Sequence, residues 1–218
     1  MPANGPGSSA PNLALHAMTA DAYSQLTDRV ERFVLIGLLG LLAYRLVPDV
    51  ASNPVNLLYL VSETIVIIMV TFRRTANEIS RRSADWAIGF AGTLLPLIVV
   101  RSDGAVLADG SMLLLLGFGV AVSAKLSLRR SFGVVAANRG VRTGGLYGLV
   151  RHPMYLGYFL THLGFLLTNP VLWNAAVYVA WTACQLYRIR AEERVLSADI
   201  AYVAFARRVR YRLIPFVY

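Results

Sequence analysis

The sequence predicts an all-α, polytopic membrane protein of about six transmembrane helices with a cytoplasmic C-terminal amphipathic helix. Three observations carry that expectation. Of 218 residues, 56% are hydrophobic and 15% charged, against about 25% charged in soluble domains. The apolar residues are gathered into blocks close to the length of a membrane span. The basic residues collect between those blocks, on alternate sides.

Residues 1–27 are rich in Pro, Gly, Ser and Ala. They lack a basic region followed by an apolar core, so they do not read as a signal peptide. A weakly ordered tail is expected there. Residues 28–218 then form a single domain. Six apolar blocks follow, at 33–47, 55–72, 84–100, 111–128, 154–168 and 171–187. A span needs about 20 residues, so the short first and fifth blocks borrow flanking residues. Glycines within them, Gly117, Gly157 and Gly164 among others, suit helices that approach closely in a membrane.

Arginine placement supplies the orientation. With the first block running outward, 19 of the 21 basic residues fall on one side, and only Arg45 and Arg101 on the other. The positive-inside rule puts both termini and the two long basic loops in the cytoplasm. This placement also accounts for the net charge of +9. No basic surface interleaved with aromatics is evident, so nucleic acid is not an expected partner. Cys184, the one cysteine, falls in an apolar block and reads as a small buried side chain. Three scattered histidines without carboxylate spacing predict no metal site.

Two stretches are too polar to be buried in a membrane and too patterned to be plain linkers, 128–151 and 188–218. In the second, Val195, Ile200, Val203 and Ala204 recur at near-helical spacing among charged residues. That pattern gives a helix at the membrane surface or capping the bundle. At the end of the first and on into the fifth block, the run from Gly145 to Gly157 (GLYGLVRHPMYLG) carries the most chemistry. Proline suits a first helical turn, where its missing N–H costs nothing. A helix start also leaves backbone donors free for a ligand carboxylate. His152, Tyr147 and Tyr155 offer donors and aromatic faces to an adenosine or similar ring. Past the last block comes R-I-R-A-E-E, with Arg188 and Glu192 four apart and hence on one helix face, spaced for an ion pair.

The runs G-x-Y-x-x-x-R-H-P-x-Y-x-G, Asn169-Pro170, R-x-x-x-E-E-x-x-L, Tyr202 and V-R-Y-R-L-I-P resemble the isoprenylcysteine carboxyl methyltransferase family, which groups with the phospholipid methyltransferases. The resemblance covers about 128–215, with a methyltransferase-like core at 111–218. It implies an S-adenosylmethionine-dependent methyltransferase acting on a lipophilic acceptor, an isoprenoid or lipid carboxylate among the candidates. The cofactor residues it implies are Val141, Arg142, Tyr147, His152, Pro153, Met154, Tyr155 and Glu192. The catalytic set it implies is Arg188, Glu192 and Glu193, with Arg188 also contacting the substrate. Where family members from eukaryotes carry a longer loop with a polar residue, this chain has Ala136 and Ala137.

A carboxylate such as Glu192 suits a sulfonium cation at the bilayer edge. Arg188 suits an anionic acceptor by a charge-assisted contact. For a hydroxyl, amine or thiol acceptor, Glu193, His152 or Tyr155 would take the proton. His162, in the fifth block, is a candidate for lining the lipid pocket. Glu63, an intramembrane carboxylate, is a candidate by default. The rival readings are an NADPH-dependent membrane reductase of the sterol type and a non-enzymatic membrane protein of the same fold. Membrane lipids are expected partners. The Arg- and Ala-rich composition points to a bacterial inner membrane.

Overall fold

The computed structural model describes residues 9–51, 55–100, 102 and 108–217. Helix α1 runs Ser9–Leu46 and α2 Val55–Thr71. A two-residue strand, β1 (Glu78–Ile79), precedes α3 (Ser83–Leu94). Pro96 then tightens the chain into a 3₁₀ turn at Leu95–Ile98, since proline cannot donate to a continuing helix. Helix α4 spans Ala108–Leu128 and β2 Ala137–Asn138. Helices α5 (Pro153–Thr168), α6 (Leu172–Leu196) and α7 (Ile200–Arg208) complete the chain. The strands pair antiparallel, Glu78 with Asn138 and Ile79 with Ala137.

Each apolar block overlaps one of α1 to α6, and α7 falls within the basic C-terminal stretch. Two expectations meet the structure differently. Helix α1 begins at Ser9, inside the tail placed at 1–27. Among the described residues, one stretch, Gly110–Ser131, is by itself long and apolar enough to cross a membrane. The others fall short for identifiable reasons. Helix α5 has 16 residues. The apolar part of α1 follows Asp28, Arg29, Glu31 and Arg32, and that of α6 gives way to Arg188, Arg190, Glu192 and Glu193. Apolarity and helix length are offset against each other along these elements.

Helices α4 and α5 touch backbone to backbone. A Cβ on Gly117 would sit 2.3 Å from the Thr161 amide nitrogen, and one on Gly157 2.4 Å from that of Ala121. A Cβ on Gly164 would meet the Leu114 nitrogen at 2.4 Å and the Gly110 carbonyl oxygen at 2.6 Å. Glycine at these three positions is what lets the two backbones approach this closely. Helix α6 is tied to α3 by polar contacts. Gln185 donates to the Gly92 carbonyl at 3.0 Å. At the other end of α3, Arg194 reaches both carboxylate oxygens of Asp85 at 2.8 and 2.7 Å, and Tyr187 donates to Asp85 at 2.9 Å. At the α5–α6 turn, fully buried Asn174 accepts from the Val100 amide (2.9 Å) and donates to the Val100 carbonyl (2.8 Å). These contacts fix α5 and α6 relative to α3 and α4, and so fix what their ends carry.

Candidate active site at the mouths of two helices

Pro153 opens α5 with His152 as its N-cap, the placement its missing N–H favours. Gly145, at φ +62°, starts the 3₁₀ turn Gly145–Gly148, a conformation that glycine adopts without strain. The amides of Arg151 and His152 donate to the carbonyls of Tyr211 (2.9 Å) and Arg212 (2.8 Å). The segment after α7 therefore lies along the mouth of α5. Helix α6 outruns its apolar part and brings Arg188, Glu192 and Glu193 to the same place.

A cleft opens there, lined by Val141, Arg142, Tyr147, His152, Met154, Tyr155 and Glu192, and also by Gly133, Val135, Arg139, Arg151, Tyr202 and Phe205. Of the eight cofactor residues the resemblance implies, all but Pro153 line this one cleft. Pro153 is buried at the helix start behind it. The Tyr155 hydroxyl donates to Glu192, and His152 Nδ1 stands 3.7 Å from the same carboxylate. The buried Nε of Arg142 has no hydrogen-bond partner among the described residues. An unsatisfied buried donor costs free energy, so a ligand acceptor there would relieve it.

The two adjacent glutamates do different things. Glu192 faces the cleft. Glu193 is enclosed by Arg151 Nη1 (2.9 Å), Arg212 Nε (2.7 Å), His152 Nε2 (3.3 Å) and the Tyr202 hydroxyl (3.2 Å). Burial alone would raise the Glu193 carboxyl. The hydrogen bonds from His152 and Arg212 and the charges of His152 and Arg151 prevail and hold it at about 2. A carboxylate held that low takes a proton poorly, and its contacts with Tyr202 and Arg212 clamp the C-terminal segment. Burial, with the negative charge of Glu193 beside it, pushes the Tyr202 hydroxyl up. It therefore stays protonated and donates.

Glu193 is expected to make the fold acid-sensitive. Its carboxyl binds a proton less readily folded than unfolded, so its contribution is complete above the ordinary 4.5. That contribution is lost as pH falls toward the folded value, at most about 3 kcal/mol in all. Thermal unfolding in detergent should show the melting temperature dropping between pH 5 and 2. Glu193→Gln should be less stable at neutral pH and should lose most of that slope; an unchanged slope would remove Glu193 as its source.

Arg188 does not form the expected pair with Glu192. Its guanidinium is buried, with Nη1 donating to Gln185 (3.0 Å) and Nη2 to the Val134 carbonyl (3.1 Å). Its Cζ lies 5.5 Å from the centre of the Tyr155 ring. Its Nε is buried without a partner among the described residues. Both side chains meet Tyr155 on α5, but Arg188 extends past its ring to the loop before β2, whereas Glu192, one turn on, accepts from its hydroxyl. His162 is not brought to the cleft. It lies ten residues beyond His152, about 15 Å along the helix, stacked on Tyr178 (4.9 Å) and edge-on to Trp181 (4.4 Å). The side chain of Glu63 lies outside the described residues.

Two features near the site escape the motif reading. Lys125, buried in α4, donates to Ser62 at 2.7 Å and lies 5.4 Å from the Tyr158 ring centre. Asp28 and Glu31 on α1 form a buried cluster with Arg73 and Arg139. An acidic pair at i, i+3 just ahead of an apolar block was the available signal, since charged groups beside a span mark sites or partners.

Residues 105–199, which include α4, α5, α6 and most of the cleft, match the model of the phospholipid methyltransferase family. The match covers 95 of the 218 residues and takes in most of the segment that builds the site. The family resemblance carried by R-H-P-x-Y-x-G and R-x-x-x-E-E is borne out over this segment. The chain is also similar to a solved structure of the eukaryotic intramembrane Ras methyltransferase, isoprenylcysteine carboxyl methyltransferase. The identity is 19% and the TM-score 0.44, covering 94% of this chain and 87% of that one. No curated protein matches the chain.

Proposed function

We propose that this protein is an integral membrane methyltransferase that moves a methyl group from S-adenosylmethionine to a lipophilic acceptor. The observation that carries the reading is a carboxylate, Glu192, set among tyrosines in a cleft at the R-H-P mouth, inside the segment matched to a methyltransferase family. On this reading all six apolar helices are embedded, with the cleft and both termini on the cytoplasmic side. A cleft between helix ends admits a donor from water while the acceptor approaches from the bilayer.

The residues present suit that cofactor. Tyr147, Tyr155 and Phe205 give an adenine ring flat apolar faces. Arg142, whose Nε has no partner among the described residues, and the first-turn amides of Met154 and Tyr155 suit the cofactor's carboxylate. Glu192 suits its positive end. When bound, S-adenosylmethionine supplies an electrophilic methyl group on a sulfonium. The protein's own contribution is placement, because in-line displacement requires the nucleophile about 3–3.5 Å from the carbon. Tyr155 holds Glu192 in one orientation by its hydroxyl. Arg188, fixed by Gln185 and Val134, sets a positive charge behind Tyr155 for an anionic acceptor group. An acceptor already ionised needs no general base.

A thermal-shift comparison in detergent tests the reading, because a ligand stabilises only the state that binds it, by about 2.7 kcal/mol at a hundred times its dissociation constant. S-adenosylhomocysteine should raise the melting temperature and NADPH should not. Incubation with methyl-labelled cofactor and a total lipid extract should then label an extractable species. A shift with NADPH alone, or with neither compound, overturns the reading.

A further inference from the structure

The methyltransferase-matched segment begins at residue 105, yet a buried side chain from α1 grips the wall of the cleft. Glu31, fully buried, accepts with one oxygen from two successive backbone amides, Val134 at 2.7 Å and Val135 at 2.9 Å. The peptide group joining Val134 to Val135 thus gives its N–H to Glu31 and its carbonyl to Arg188 Nη2 at 3.1 Å. A carboxylate and a guanidinium are joined through one amide, which each polarises in the same sense. The other Glu31 oxygen takes Arg73 (3.0 Å) and Arg139 (2.9 Å). Asp28 takes the same two arginines at 3.0 and 2.8 Å. Arg139 in turn lies so close to Gly133 that a Cβ there would fall 2.3 Å from its Nη1. Gly133, Val135 and Arg139 all line the cleft.

Stability alone does not account for this arrangement. Four buried charges are costly to desolvate, and well-packed apolar side chains commonly serve a fold as well. What apolar side chains lack is an acceptor for two amides that no strand pairs, since β2 begins only at Ala137.

We infer that Glu31 is a positioning residue, which through the Val134–Val135 peptide holds the cleft wall and Arg188 in register for ligand binding. The first helix then completes a site whose recognisable motifs lie more than 100 residues away. The ligand in question is the cofactor of the proposed function, and the inference rests on that reading for its binding arm alone.

Asp28 supplies the matched control. It carries the same charge to the same arginines, but touches neither amide. Hydrogen–deuterium exchange of the full chain in detergent micelles reads the loop directly, and calorimetric titration with S-adenosylhomocysteine reads the cleft. In Glu31→Ala, exchange at Val134 and Val135 should rise at least tenfold. Binding should weaken about tenfold, while exchange within α5 stays as in the wild type. Asp28→Ala should leave the two amides protected and binding within about twofold. Should either alanine variant fail to fold, Glu31→Gln and Asp28→Asn give the same ordering with a difference of about threefold. Equal effects from both positions, or unchanged protection in the Glu31 variants, overturn the inference. If the wild type itself does not bind S-adenosylhomocysteine, the proposed function fails, and the exchange arm still decides what Glu31 does.

Discussion

Gly157→Ala is expected to cost this protein about 3 kcal/mol or more, at the upper end of what overpacking does. The added methyl would lie 2.4 Å from the Ala121 amide nitrogen and 2.7 Å from its Cα. Those atoms belong to the backbone of α4, so no rotamer change relieves the clash. The two helices must separate, and the seam through Gly110, Gly117 and Gly164 must open with them. Because α5 begins with the residues that form the cleft, S-adenosylhomocysteine binding should fall with stability. Gly119→Ala is the comparison. A Cβ there meets nothing within 4 Å, and alanine is the better helix former by about 1 kcal/mol. Thermal unfolding in detergent with circular dichroism checks both. If Gly157→Ala melts with Gly119→Ala and the wild type, the close approach of α4 and α5 is wrong.

The seam marks the limit of what the sequence discloses. Apolar runs located the helices, because a long apolar stretch between polar and basic segments is a signal that needs no tertiary contact to read. The blocks at 55–72 and 154–168 match α2 and α5 to within a residue. Gly157 and Gly164 announce a close contact, yet nothing along the chain says that their partner is α4 rather than α6. The site divides in the same way. R-H-P-x-Y and E-E lie in short local runs that carry the resemblance, so the residues it marks could be named before any contact was known, and seven of the eight line one cleft. What the two glutamates do could not. Glu192 and Glu193 are chemically identical neighbours, and the distant Arg212 and Tyr202 make one of them a clamp. Glu31 is further still from inference, being paired with amides 103 and 104 residues on. Backbone partners carry no sequence signature.

Glu192→Gln tests the chemistry of the cleft most sharply, because it changes charge and almost nothing else. A glutamine oxygen still accepts from the Tyr155 hydroxyl, and the side-chain volume is nearly unchanged. What disappears is a negative charge in a partly desolvated cleft. At an effective dielectric of about 20 and a separation of about 5 Å, its attraction for a cation is about 3 kcal/mol, roughly a hundredfold in affinity. S-adenosylmethionine carries a sulfonium and S-adenosylhomocysteine a neutral thioether, while the rest of the two molecules is shared. If Glu192 attends the sulfonium, the variant should bind the methyl donor about a hundredfold more weakly. It should bind the demethylated product within a few-fold of wild type, and methyl transfer to the lipid extract should fall at least in proportion. Product would then leave the wild type more readily than donor, since the charge that retains the donor is lost in the reaction. Calorimetric titration of both compounds against both proteins separates the cases. Equal weakening would place Glu192 against a part the two molecules share, such as the amino group or the ribose. No weakening of either would remove Glu192 from the binding site altogether.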